Sequence, residues 1–498
     1  MVEEGGQMRK IFITLSLVLL VFSGFVFNVY SQAENPALET MHSISSHTLY
    51  GYVKELCKEK YGGRLTGTKG FNLAAEWVIS HFKKWGLKPA GDNGSYLQAF
   101  KNPYTLILPG DEAYLHIPIG NKHEILKFYR LEKDFIPGST SDTGEVTAEV
   151  VYVGYGITAP ELGYDDYKDV DVKGKIVLME REVPISPDKE PDEFKKWRPY
   201  SFHQYKVRNA WKHGAAGMLY NYHITNPNCV FIKGFVLTYI GKAILDDLFT
   251  GAKISHKEAV AKIKKERKPC SFNLGKVMTI KNFTEHHPEG VAYNVLGMIE
   301  GSDPVLKNEV VVVSAHLDHV GKNPLLVPGA NDNASGVAVV LGVAEALAKS
   351  PVKPKRTVVF ALFGAEEQGV KGSEFFLKHP TLKGKKIVAC FNSDGVGRGN
   401  KILAIAGKNY PSLWKYINSS NKEYIHRVVK PIYFSNIARP RLDAAHFMWA
   451  GIPTISFSAY GIPLGFSNYH KSTDRPEYIT PEIMEDLAQL LYMAIIKM

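Results

Sequence analysis

Between Val310 and Asp394 three apolar, β-like runs each end on a side chain able to hold a hard cation. VVVSAH ends on His316, TVVFALFGAEE on the pair Glu366 and Glu367, and KIVACFNSD on Asp394. PGANDNASG sets Asp332 in front of an amphipathic stretch, and SNYHKSTD supplies His470 far downstream. Each has a plainer reading on its own. Asp332 could cap a helix, Asp394-Gly395 could be a turn, Glu366-Glu367 a solvated pair and His470 ordinary surface. As an ordered set of His, Asp, Glu-Glu, Asp and His, mostly at strand ends, they point to a divalent metal and metal-assisted hydrolysis. Adjacent side chains on extended backbone point opposite ways, so one glutamate can bind metal while its neighbour acts as a base. Asp318, two residues after His316, is a candidate partner for that imidazole's other ring nitrogen. His319 reads as structural.

The elements that would position these groups read as alternating strands and helices. After Tyr293 come YNVLGMIEG, VVVSAH, TVVFALF, KIVACFNS, KILAIAG and TISFSAY. Such near-continuous apolar strands are buried on both faces. Helical spacing recurs at 335–349, 373–379, 412–421, 444–449 and 481–498, which predicts an α/β/α sandwich around a mixed, largely parallel sheet. Ligands in such folds gather outside the carboxyl ends of the strands. Two helices, 46–60 and 71–85, precede this region. Arg64 and Thr66 lie in the turn between them and read as structural. From about residue 101 to 275 short alternating runs indicate a separate, mainly-β module inserted in the chain.

At 498 residues, 45% hydrophobic and 22% charged, the chain is long enough for two or three folded units. The net charge of +10 is spread over scattered lysines. With no basic stripe interleaved with aromatics, no nucleic-acid partner is expected. Arg9 and Lys10, the uncharged run Ile11–Phe27 and Ser31-Gln32-Ala33 read as a signal peptide over residues 1–33. An uncleaved membrane anchor is the alternative, and either exports the body of the protein, to the periplasm or beyond. Four cysteines do not make a disulfide scaffold. Cys390 reads as a buried thiol, and pairing of Cys229 with Cys270 is left open.

HLDHVG, PGANDNASG, FGAEEQGVKGS, NSDGVG and NYHKSTD resemble the motifs of the co-catalytic di-zinc exopeptidase family. That family includes secreted leucyl-type aminopeptidases, glutamate carboxypeptidase and the catalytically dead transferrin receptor. VVYVGYGI, YDDYKDVDVKGKIVLM and NAWKHGAAGML resemble a protease-associated (PA) domain. The resemblance implies residues 34–130 as the first part of a peptidase domain, 131–275 as the PA insert and 276–498 as the catalytic domain. It implies two Zn2+, or other divalent metals, with His316 and Asp394 on one and Glu367 and His470 on the other. Asp332 would bridge them, Glu366 would be the general base, and Tyr469 would steady the tetrahedral intermediate. A cis peptide is implied after Asp332.

Leu442-Asp443-Ala444 stands where relatives of that family carry Ser-Asp-His, and the resemblance implies that this position shapes the substrate side of the site. The resemblance implies an aminopeptidase acting on peptides. A carboxypeptidase or dipeptidase on the same core is the alternative, for which Arg398, Arg439 and Arg441 could capture a carboxylate. A receptor-like binding protein is the third reading, against which stand the intact ligands.

Overall fold

The computed structural model describes residues 36–120, 122–435, 441–461 and 468–498. The segment read as a signal peptide, Arg439 and Ser467 lie outside these residues. No helix among the described residues is long and apolar enough to cross a membrane.

The larger sheet has nine strands. Its centre is four parallel strands, in spatial order Thr357–Phe363, Glu309–His316, Lys386–Ser393 and Thr454–Tyr460. Antiparallel strands flank them: Val291–Ile299 on one side and Lys401–Ile405 on the other. The central strands are valine-rich and buried along nearly their whole length, as two-sided burial requires. Val311, Val313, Phe360, Leu362 and Phe391 face the helices Ser46–Leu56, Lys69–Lys84, Ser335–Lys349 and Pro481–Lys497. Val310, Val312, Val359, Ala361 and Cys390 face Phe376 and Phe447, carried by the short helices Lys371–Lys378 and Ala444–Trp449. This is the α/β/α sandwich expected from the pattern, with the parallel ladders concentrated at its centre.

The insert is built on an eight-stranded sheet. Gly144–Tyr152, Ile176–Glu180, Gly217–Asn221 and Val236–Ile240 run parallel in that spatial order. Glu112–Ile119 pairs with Phe272–Asn282 and with His123–Phe128, so all three belong to the insert's sheet. The pairing joins positions about 160 residues apart, which local periodicity does not reveal. A two-stranded ribbon, Tyr104–Ile107 with Thr284–His287, connects the insert to the larger sheet's side of the molecule.

All four cysteines are free. Cys229 packs on the face of the insert's sheet formed by Val177 and Met179, and Cys270 on the opposite face with Ile176 and Leu178. The sheet itself keeps the two thiols apart, so the pairing left open above does not occur.

Candidate metal centre

His316 is the last residue of its strand, and Asp394 follows directly on Ser393, the end of the neighbouring strand. Glu366 and Glu367 come just after Phe363 on the other side. Parallel pairing in register brings the three ends to one edge of the sheet. Asp332 is held in the turn before the helix Ser335–Lys349. That helix starts close under the strand ends because residue 336 is glycine. A Cβ there would lie 2.4 Å from the carbonyl of Ser393. Asn333 laces the turn to the Asp394 loop, accepting from the N–H groups of Gly336 and Gly395 and donating to the carbonyl of Ser393. The Asp332–Asn333 peptide is cis.

The five predicted ligands converge. Oδ1 of Asp332 is 3.2 Å from Nε2 of His316, and its Oδ2 is 3.5 Å from Nε2 of His470. Oδ1 of Asp394 lies 3.6 Å from His316 Nε2, and Oε2 of Glu367 lies 2.8 Å from His470 Nε2. One group is therefore His316, Asp332 and Asp394; the other is Asp332, Glu367 and His470, with His319 beside it. Asp332 does not cap its helix but gives one oxygen to each group.

Both imidazoles have their second nitrogen committed. Nδ1–H of His316 donates to the carbonyl of Asp318 at 3.1 Å, and Nδ1–H of His470 donates to the carbonyl of Thr225 at 2.6 Å. A neutral ring so held turns its Nε2 lone pair onto carboxylate oxygens. That contact is repulsive unless a cation lies between. Divalent metals with imidazole and carboxylate ligands suit this donor set. Without a metal a proton must serve. Burial opposes charging the rings, yet the carboxylates of Asp332, Asp394 and Glu367 hold the two imidazoles well above the usual histidine range. Burial would raise Glu367, but His470 and His319 hold it at about 2.

Asp318 has a different job from the one expected. Its carboxylate stands 3.8 Å from His316 Nδ1 and accepts instead from the backbone N–H groups of Glu366 (3.1 Å) and Glu367 (3.2 Å). The side chain thereby fixes the turn that carries Glu366 and Glu367. Burial pushes its pKa up to about 7. Glu366 lines the cleft beside His316, and burial, then the carboxylates of Glu367, Asp443 and Asp394, raises it well above the usual range. Tyr469 lines the same cleft, its ring stacked on that of His470 with centroids 3.7 Å apart.

Several residues that hold the site were not legible as such. His319 donates through Nδ1 to Oε1 of Glu367 at 2.7 Å. Arg64, fully buried, donates to the carbonyls of Leu56, Leu317, Pro328 and Gly329, and so clamps the loops that bear His316 and Asp332. Thr66 accepts from the N–H of Ala365, next to Glu366. Arg64, Ala365, Val370 and His470 all have φ between 52° and 59°. Non-glycine residues rarely adopt this region, and such residues cluster at functional sites.

The cleft encloses about 530 Å³. Leu403 and Ile405 face it from one strand and their cross-strand partners Ser458 and Ser456 from the next. The opposite wall comes from the insert, through residues including Arg181, Glu182, Tyr222 and Asn226. Arg441 also lines the cleft, with Nη2 3.2 Å from Oε1 of Glu182. Arg398 instead lies over the ring of Tyr478, 5.3 Å from its centroid. Arg441 and Leu442 reach the cleft, whereas Asp443 and Ala444 are buried behind it.

Residues 294–495 match the model of peptidase family M28, and residues 146–231 match that of the PA domain. The first of these segments contains all five residues that converge at the metal centre. An aminopeptidase of Pseudomonas aeruginosa is 29% identical over 349 residues, covering 68% of this chain and 55% of the relative. Leupeptin-inactivating enzyme 1 of Streptomyces exfoliatus is 31% identical over 185 residues, covering 36% of this chain and 38% of the relative. The chain thus spans about half the length or less of these relatives. Among solved structures, an aminopeptidase from Aneurinibacillus sp. strain AM-1 aligns with a TM-score of 0.62 at 21% identity, covering 92% of this chain and 95% of the other. BSAP, a zinc aminopeptidase from Bacillus subtilis, aligns at 0.60 and 21%, covering 91% and 95%. These likenesses extend over both the larger sheet's domain and the insert.

Proposed function

We propose that the chain is an exported, zinc-dependent aminopeptidase that removes N-terminal residues from peptides. The observation that carries this reading is the double placement of Asp332, one oxygen toward each of two histidine–carboxylate groups. His316, Asp332 and Asp394 would hold one cation, and Asp332, Glu367 and His470 the other. Bound there, divalent metals supply Lewis-acid polarisation and lower the pKa of water to about 7.

Glu366 is placed to take a proton from the attacking water and return it to the leaving amine. Asp318 keeps Glu366 and Glu367 apart in their tasks by holding both backbones. Tyr469 borders the same space and can donate to charge developing on the carbonyl oxygen. The cleft next to the ligands is rich in carboxylates, which favours a protonated amine over a carboxylate. Arg441, the cleft arginine, is already turned to Glu182. Apolar Leu403, Ile405 and Leu442 would meet the substrate's first side chain, while the insert's wall limits access to short or unfolded peptides.

Purified protein is assayed on aminoacyl arylamides and on the same substrates N-acetylated. The expected result is turnover of the free amines only, abolished by chelator and restored by zinc. Equal cleavage of acetylated substrates, or chelator-insensitive turnover, overturns the reading.

A further inference from the structure

The two histidines of the centre are oriented from different parts of the molecule. His316 donates its Nδ1–H to Asp318, two residues on in the same loop. His470 donates its Nδ1–H to the carbonyl of Thr225, which belongs to the insert, at 2.6 Å, and its own carbonyl receives the Thr225 N–H at 3.4 Å. Thr225 and His470 are both nearly fully buried, so water does not substitute readily for this acceptor.

The segment bearing Thr225 is fastened within the insert. Tyr239, on the strand Val236–Ile240, donates its hydroxyl to the carbonyl of Asn226 at 2.8 Å. Gln204, on the helix His203–Lys212, donates to Oδ1 of Asn228 at 2.7 Å. The side chain of Asn226 accepts from the N–H of Asn228 and rigidifies the turn between. An acceptor on the second nitrogen of a ligating imidazole fixes its tautomer and aim and raises its basicity.

We propose that the insert is a working part of the metal centre: its Thr225 carbonyl positions His470, so the packing of the 225–228 turn sets the affinity of the cation held by Glu367 and His470 but not of the one held by His316 and Asp394. Thr225 acts through His470 and is a positioning residue. Tyr239 and Gln204 act through Thr225. The inference rests on the two-cation reading above and goes beyond it, because it makes metal binding depend on a domain that contributes no ligand.

The test uses the full-length protein with Tyr239→Phe, Gln204→Ala and the two combined. Zinc is titrated against a competing chelator, and the imidazole N–H protons of the zinc-loaded, 15N-histidine-labelled protein are recorded. We expect the combined variant to weaken one of two sites by about 10–100-fold and leave the other within twofold, as for other lost partners of ligating histidines. The Nδ1–H signal of His470, assigned by its loss in His470→Ala, should broaden or vanish while that of His316 persists. Equal weakening of both sites, or two unchanged sites with both signals intact, overturns the inference. Gln204→Ala alone, at a half-buried position on the helix His203–Lys212, serves if Tyr239→Phe does not fold. Wild-type protein that binds fewer than two zinc ions would refute the two-cation reading itself, a distinct result from an unaltered variant.

Discussion

Asp474 carries the backbone of Asp332: its Oδ2 accepts the Asp332 N–H at 3.0 Å. The same carboxylate accepts from the N–H of Asn331, so the turn that presents Asp332 hangs on a residue four positions after His470. Asp474→Ala leaves two buried N–H groups unpaired, at about 1–3 kcal/mol each. Apparent zinc affinity should fall by about 10–100-fold. Chelator competition and circular dichroism together check this; unchanged affinity would show that the turn holds itself.

Arg64 offers a harsher case. Its guanidinium satisfies four buried carbonyls from one helix end and two loops, and a methionine of similar length satisfies none. Arg64→Met should destabilise the protein by roughly 3 kcal/mol or more and strip it of metal at neutral pH. Thermal unfolding with and without zinc is the measurement, and Arg64→Lys should recover only part of the loss because an ammonium cannot span the same carbonyls.

Glu366 separates turnover from metal binding. Its side chain lines the cleft while its backbone N–H is held by Asp318, so Glu366→Gln disturbs neither the turn nor the five ligands. Zinc content should stay at the wild-type level and kcat should fall by about 10²–10⁴, the usual contribution of a general base. Full activity in this variant would remove Glu366 from that role.

The insert has its own pH dependence. Asp166 is buried, accepts from the N–H groups of Tyr155 and Ile157 and from the Tyr164 hydroxyl, and burial raises its pKa to about 7. A carboxyl with a raised folded pKa favours the folded state fully below its unfolded value, and that contribution is lost as pH rises through the folded value. Stability should therefore decline between about pH 4 and pH 7, with Asp111, raised to about 6 by burial, adding to the slope. Asp166→Asn should flatten the decline in thermal unfolding midpoint; an identical slope would show that Asp166 does not titrate there.

The residues that converge at the centre were readable because most of them end a local pattern. His316 and Asp394 close apolar strands, and Asp332 sits before an amphipathic helix. The residues that aim those ligands were not readable, since their contacts span long stretches of chain. Thr225 meets His470 245 residues later, and Arg64 meets Leu317 253 residues later. No periodicity marks a carbonyl as an acceptor. Asp318 shows the opposite error. Proximity in sequence suggested a carboxylate on His316, yet the chain's own carbonyl reaches the ring first and frees the side chain for Glu366 and Glu367. Strand Glu112–Ile119 likewise declares its sheet only through Phe272–Asn282.

Anomalous diffraction at the zinc edge, from crystals of the full chain grown with zinc, tests the shared carboxylate most directly. The expected map has two peaks, one against His316 and Asp394 and one against Glu367 and His470, each touching a different oxygen of Asp332. A single peak, or a second one bound away from Asp332, would contradict the two-cation centre.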